Sequence, residues 1–155
     1  MNDGRRKLVA VLALAGFFLS SYLLLYALGF YGDVVCGQSG SCEAVQTSRY
    51  ARFLGVPVAG WGTAWYLAVF AVAIAALQPG AAGKRWPDRG LAVLAAGGLA
   101  FSLWLTYAEL FLIRAICRLC VASAALTVLI FAATLPLGRA SSGGGPEALE
   151  GRSVR

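Results

Sequence analysis

Four cysteines, Cys36, Cys42, Cys117 and Cys120, are the residues best suited to chemistry in this sequence, and no histidine accompanies them. Without His, imidazole acid–base catalysis, a His-ligated haem and His-containing zinc sites are excluded from within the chain. Thiolates exchange disulfides, carry electrons in pairs and ligate soft metals, and spacing helps to separate these uses. Cys117-Arg118-Leu119-Cys120 closes within one helical turn. So short a ring constrains little of the unfolded chain and makes a poor structural staple, which suits the pair better to electron transfer. It also opens an apolar run, where the free N–H groups of a helix N-terminus favour a thiolate, and Arg118 adds a positive charge. Between Cys36 and Cys42 lie Gly37 to Ser41, flexible enough to let the two sulfurs meet and Cys42 swing away again. A mobile pair can shuttle electrons. The competing uses are two structural disulfides or a Cys₄ zinc site; the latter normally draws on two short pairs, and the first pair here is not short.

The elements that must position these thiols are those of a membrane protein. Of 155 residues, 59% are apolar and 13% charged, against roughly 45–50% and 25% in soluble domains. The apolar residues fall into four blocks, about 8–30, 56–77, 91–113 and 116–137. Each is near the roughly 20 residues that a membrane-spanning helix needs. Gln78, Pro79 and Gly80 end the second block, and only Arg114 and Ala115 separate the third from the first turn of the fourth. An all-α integral membrane protein is therefore expected: a four-helix bundle forming one domain over 1–140, the last two spans being a tight antiparallel hairpin. From Ser141 the Gly-rich tail lacks apolar material to pack and is expected to be disordered. The run beginning at Leu8 is too long for the 7–15-residue core of a signal peptide.

Basic residues sort by side. Arg5, Arg6, Lys7, Lys84, Arg85, Arg89, Arg139, Arg152 and Arg155 fall on the face that holds both termini; Arg49, Arg52, Arg114 and Arg118 fall on the other. Positive loops stay cytoplasmic, so both termini are expected inside and the 31–55 loop outside. All four cysteines then gather at the outer face, where disulfides persist. The net charge of +6 is topological in this reading and does not imply nucleic acid as a partner.

Glu43 to Leu54 is expected to form a short helix lying on the membrane surface, capping the bundle and holding Cys42 above Cys117. Thiol oxidation needs an electron acceptor, and at a membrane face a lipid-soluble quinone can reach the thiols. No G-x-G-x-x-G after a strand and no G-x-x-x-x-G-K-[ST] supports a nucleotide. Trp61, Trp65, Tyr66, Trp104 and Tyr107 are candidates to pack on a planar ring. Gly97 and Gly98 permit close helix contact. Glu109, an acid inside a span, is a functional candidate by default: either it pairs with Arg114 or Arg118, or it handles protons beside the thiols.

These motifs together resemble a known family. Cys36, Cys42-Glu43-Ala44-Val45-Gln46-Thr47-Ser48-Arg49-Tyr50-Ala51, Gly55-Val56-Pro57-Val58, and Tyr107-x-Glu109 running into Ile113-Arg114-Ala115-Ile116-Cys117-x-x-Cys120 are similar to bacterial homologues of vitamin K epoxide reductase, over about residues 8–137. The resemblance implies a four-helix bundle around a quinone, ubiquinone or menaquinone, which accepts electrons from a thioredoxin-like (DsbA-like) partner so that disulfides form, with no metal and no nucleotide. It implies that Cys120 reduces the quinone with Cys117 as its partner. Cys42 would exchange with Cys117 and with the partner protein, Cys36 would resolve the mixed disulfide, and Ser48 matches a loop position near the site. Many relatives carry a fused thioredoxin-like domain; here a separate partner is expected. The chain departs from the vertebrate enzyme, whose quinone is hydrogen-bonded by an Asn and a Tyr: Asn2 is the only Asn, and Ala124 stands near the Tyr position. This departure weighs against epoxide reduction and inhibitor binding; vitamin K quinone or epoxide reduction as the main activity stays the alternative within the family, and a non-enzymatic four-span protein stapled by disulfides the alternative outside it. DsbB-type proteins, the nearest rivals, hold their tight Cys pair in the first outer loop rather than at span four.

Overall fold

The computed structural model describes residues 1–30, 41–81 and 84–135. Cys36 and the tail expected beyond residue 140 lie outside the described residues. Helix α1, Asp3–Ala27, starts where the Asn2 side chain accepts the Arg5 N–H at 3.3 Å, satisfying one of the free donors of the first turn. Next come α2, Ser41–Gln46, and a 3-10 turn, Arg49–Ala51. Strands β1, Arg52–Phe53, and β2, Val56–Pro57, pair antiparallel. Leu54 and Gly55 between them have φ of +54° and +80°, the positive values that a two-residue hairpin favours at its centre. Helix α3 runs Val58–Leu77 and α4 Trp86–Tyr107, with Pro87 in the first turn, where its missing N–H costs nothing. Helix α4 continues into a π-helical turn, Ala108–Ile113, and α5 spans Arg118–Thr134.

Helix α1 packs on α3 and α5, and α4 packs on the same two, so the long helices close into a ring. Val9, Ala13, Val69, Ala73, Leu91, Ala95 and Ile130 fill its centre. Small residues bring the helices close. A Cβ on Gly16 would run into the Tyr66 ring and one on Gly98 into Trp65, whereas one on Gly97 would meet nothing within 4 Å. At the end opposite the thiols, Arg6 is buried. It donates to Asp88 through Nε (3.1 Å) and Nη2 (3.0 and 3.1 Å), and through Nη1 to the Ala76 carbonyl at 2.9 Å. One guanidinium thereby joins α1, α3 and α4.

Three helical segments, Asp3–Ala27, Val58–Leu77 and Trp86–Ile113, are long and apolar enough to cross a membrane. The fourth apolar helix, α5, has 17 residues, or roughly 25 Å against a hydrocarbon core of about 30 Å. The surface helix expected over Glu43 to Leu54 stops at Gln46 instead. Thr47 and Ser48 return both hydroxyl and N–H to the carbonyls of Glu43 (2.8 and 2.9 Å) and Val45 (2.8 and 3.3 Å), the Ser48 N–H in a tighter i−3 bond that closes the last turn, and from Arg52 onward the chain enters the hairpin.

Candidate functional site

The connection between the last two long helices is built to set one cysteine at a helix start. Arg114 adopts a left-handed conformation, φ +55°, that ends the π turn, and the Ala115 N–H donates to the Glu109 carbonyl at 3.2 Å. Cys117 follows in extended backbone as the N-cap of α5, with its sulfur accepting the Cys120 N–H at 3.4 Å. The Cys117 thiol, in this connection and outside the helices, is lowered to about 7, chiefly by its hydrogen bond with the Cys120 thiol. It is fully buried, whereas Cys120 is partly buried, and both thiols are free.

Helix α2 supplies the neighbouring sulfur. Cys42 and Val45 are buried in one cluster with Cys117, flanked by Ile113, Ala115, Leu119 and Cys120. Cys42 is disulfide-bonded. Gln46, one turn on, donates from Nε2 to the Cys120 sulfur at 3.7 Å. The small α2 element thus covers both α5 cysteines with two apolar residues and an amide.

Beneath it lies a cavity of about 470 Å³ with mostly apolar walls, and Cys120 and Glu109 stand at its edge. Trp65 forms one wall, its Nε1–H donating to the Leu94 carbonyl at 2.9 Å. The indole reaches that carbonyl because Gly98, one turn beyond Leu94, carries no side chain. Tyr66 forms another, anchored through its hydroxyl to the Ser123 carbonyl (2.9 Å), Ser123 Oγ (3.0 Å) and Thr127 Oγ1 (3.2 Å). Across the opening Phe53 meets Trp61 and Phe101 edge-on, each at 6.2 Å, and the Trp61 Nε1–H donates to the Phe53 carbonyl. Glu109 is only 8% exposed. Its Oε2 accepts the Cys117 N–H at 3.4 Å, and no ion pair joins it to Arg114 or Arg118 among the described residues.

Of the residues expected around a ring-shaped ligand, Ser48, Trp61, Trp65, Tyr66 and Glu109 line this cavity. Tyr107 does not: it is 53% exposed and stacks on Phe111 at 4.9 Å. Trp104 likewise lies outside the wall, stacked on Phe101. Asn2 caps α1 at the far end of the bundle, whereas Ala124 does line the cavity. Sequence reasoning missed Gln46, Phe53, Phe101 and Ser123. Ser123 was discoverable, since it stands one turn after Cys120 on α5; Phe53 was not, because the hairpin that carries it inward has no marker beyond Gly55. Among the described residues no three of His, Cys, Asp and Glu are grouped to hold a metal. A family model described as the vitamin K epoxide reductase family matches residues 7–135. With a paired thiol, a second cysteine packed on it and an apolar cavity inside a membrane bundle, the chain belongs to the vitamin K epoxide reductase family and is a membrane oxidoreductase of the quinone and thiol class.

Proposed function

We propose that this protein makes disulfides by passing electrons from a separate thioredoxin-like protein to a membrane quinone. One observation carries the reading: Cys120 opens onto the apolar cavity while Cys117, behind it, packs against Cys42. Such a placement serves two-way traffic. The partner's dithiol enters through Cys42, with Cys36 resolving the mixed disulfide, and Cys42 exchanges with Cys117. Cys120 then faces the quinone. Over a full cycle two partner thiols become one disulfide, and two electrons and two protons convert the quinone to its hydroquinone. A reduced α5 pair beside a disulfide-bonded Cys42 is the form that would donate to the quinone. Trp61, Trp65 and Tyr66 offer flat surfaces for the ring, and Ser48 narrows the entrance. Ubiquinone and menaquinone both suit these walls. Basic residues concentrated at the α1 and α4 starts support cytoplasmic termini, with the thiols at the outer face of a bacterial plasma membrane.

Replacing Cys120 by Ala is the direct test. Quinone reduction driven by a reduced thioredoxin-like protein should fall to background, and activity near wild type would reject the assignment. Replacing Cys36 by Ala should instead trap the partner on Cys42 as a mixed disulfide on a non-reducing gel.

A further inference from the structure

We infer that Glu109 is the proton carrier of the α5 thiol pair, taking the Cys120 proton as electrons leave for the quinone and handing it to the quinone oxygen. The inference rests on the quinone-linked function proposed for this site. Of all the described residues that line the cavity, Glu109 is the only one with a carboxylate or a cationic group. A buried acid at membrane depth is costly and is normally held by a cation. Arg114 and Arg118 are nearby in sequence, yet both are exposed and neither pairs with it. Its hydrogen bond is instead to the reacting pair, at the Cys117 N–H (3.4 Å), and it lines the same cavity as Cys120. Those two cysteines are the titratable groups that interact with it. The backbone supports the same placement. Glu109 sits in the π-helical turn rather than in the regular helix before it, and a π turn inserts a residue and re-aims the side chains around it, an arrangement frequent at functional sites.

Atoms and electrons balance in this step. The Cys120 S–H bond breaks, its proton moves to the Glu109 carboxylate, and the sulfur's electron pair passes to the quinone. The Cys117 thiolate, whose proton has gone to water, bonds to the Cys120 sulfur. Glu109 gives its proton to one quinone oxygen and the other oxygen takes a proton from water. Two thiols have become one disulfide, the quinone a hydroquinone, and Glu109 is again a carboxylate.

Glu109→Gln separates this role from a structural one. Its carboxamide oxygen can still accept the Cys117 N–H, but it cannot carry a proton. Purified wild type, Glu109→Gln and Glu109→Asp would be pre-reduced and mixed anaerobically with a short-tailed benzoquinone, following quinone absorbance from pH 5 to 9. Re-reduction of the Cys117–Cys120 disulfide by dithiothreitol would be measured alongside. Loss of a positioned acid–base group predicts quinone reduction slower by about 100-fold or more in Glu109→Gln, with a flattened pH profile, a smaller loss in re-reduction, unchanged thermal stability, and partial recovery in Glu109→Asp. Wild-type rate and pH profile in Glu109→Gln would overturn the inference. So would an equal loss in both half-reactions accompanied by lower thermal stability, which marks a structural group. If the wild type itself fails to reduce the quinone, the underlying reading falls with it; an active wild type with an unaffected Glu109→Gln removes the proton carrier alone.

Discussion

Cys117 shows how much one residue's position decides. As the N-cap of α5 it takes an N–H from Cys120 and a hydrogen bond from the Cys120 thiol, and its own thiol is lowered to about 7. A thiol of low pKa leaves a disulfide faster than an ordinary one, which suits Cys117 to the exchange with Cys42 that the proposed function requires. Because the lowering comes first from the Cys120 thiol, it should vanish with that thiol. In protein with Cys36 and Cys42 replaced by Ala, Cys117 thiolate absorbance should titrate near pH 7. Adding Cys120→Ala should move the midpoint up toward the ordinary value of about 8.5. The sign is fixed: losing a group that favours the anion raises the pKa, so at neutral pH the thiolate fraction falls. An unmoved midpoint would place the cause in the helix start instead. The Cys-x-x-Cys pair and its helix N-terminus were legible from spacing alone. The company Glu109 keeps was not, because sequence offered two nearby arginines as partners and only the fold shows the carboxylate turned to the thiols.

At the scale of elements, what could be read was whatever periodicity and composition control. The four apolar runs became α1, α3, α4 and α5 with ends shifted by a few residues, since long apolar stretches have few alternatives in a membrane. The short outer elements were read less well. Helix α2 ends after Gln46, where the Ser48 N–H turns to the Val45 carbonyl in a tighter i−3 bond, and the hairpin places Leu54 at positive φ, uncommon for a branched residue. Nothing in Ala108–Ile113 distinguishes a π turn from ordinary helix. The paired glycines show the same limit: composition marks Gly97 and Gly98 alike, yet only Gly98 lies against a ring. Gly98→Ala should therefore push Trp65 off the Leu94 carbonyl and into the cavity. Overpacking of this kind costs about 1–3 kcal/mol, and quinone affinity should fall with it. Gly97→Ala, with open space at its Cβ, should be neutral or slightly stabilising through helix propensity. Thermal unfolding in detergent and quench of tryptophan fluorescence by quinone measure the two effects; equal behaviour of the two variants would contradict the close contact.

The whole molecule divides its labour between its two ends. Thiols, cavity and α2 occupy one end, while at the other Arg6 ties α1 to Asp88 of α4 and to the Ala76 carbonyl of α3. The Met1 amino group adds a contact to Asp88 at 2.9 Å. Arg6 had been legible only as one of several basic residues setting orientation; its burial shows that it also closes the bundle. Breaking a buried ion pair by removing one partner costs more than the pair itself contributes, because the remaining charge is left without compensation. Asp88→Asn, which leaves the buried Arg6 guanidinium only the Ala76 carbonyl and the exposed Asp3, should accordingly destabilise the protein by about 3 kcal/mol. Arg6→Ala, which leaves Asp88 its contact with the Met1 amino group, should cost less. The double variant should fall short of the sum of the singles by about 1 kcal/mol or more, the coupling expected of residues in direct contact. Quinone reduction per folded molecule should stay within about twofold of wild type in all three, since the pair lies a full helix length from Cys120. Denaturation in detergent together with activity assays tests both halves: strict additivity would mean that the two residues do not interact, and activity lost while stability holds would mean that the two ends are coupled.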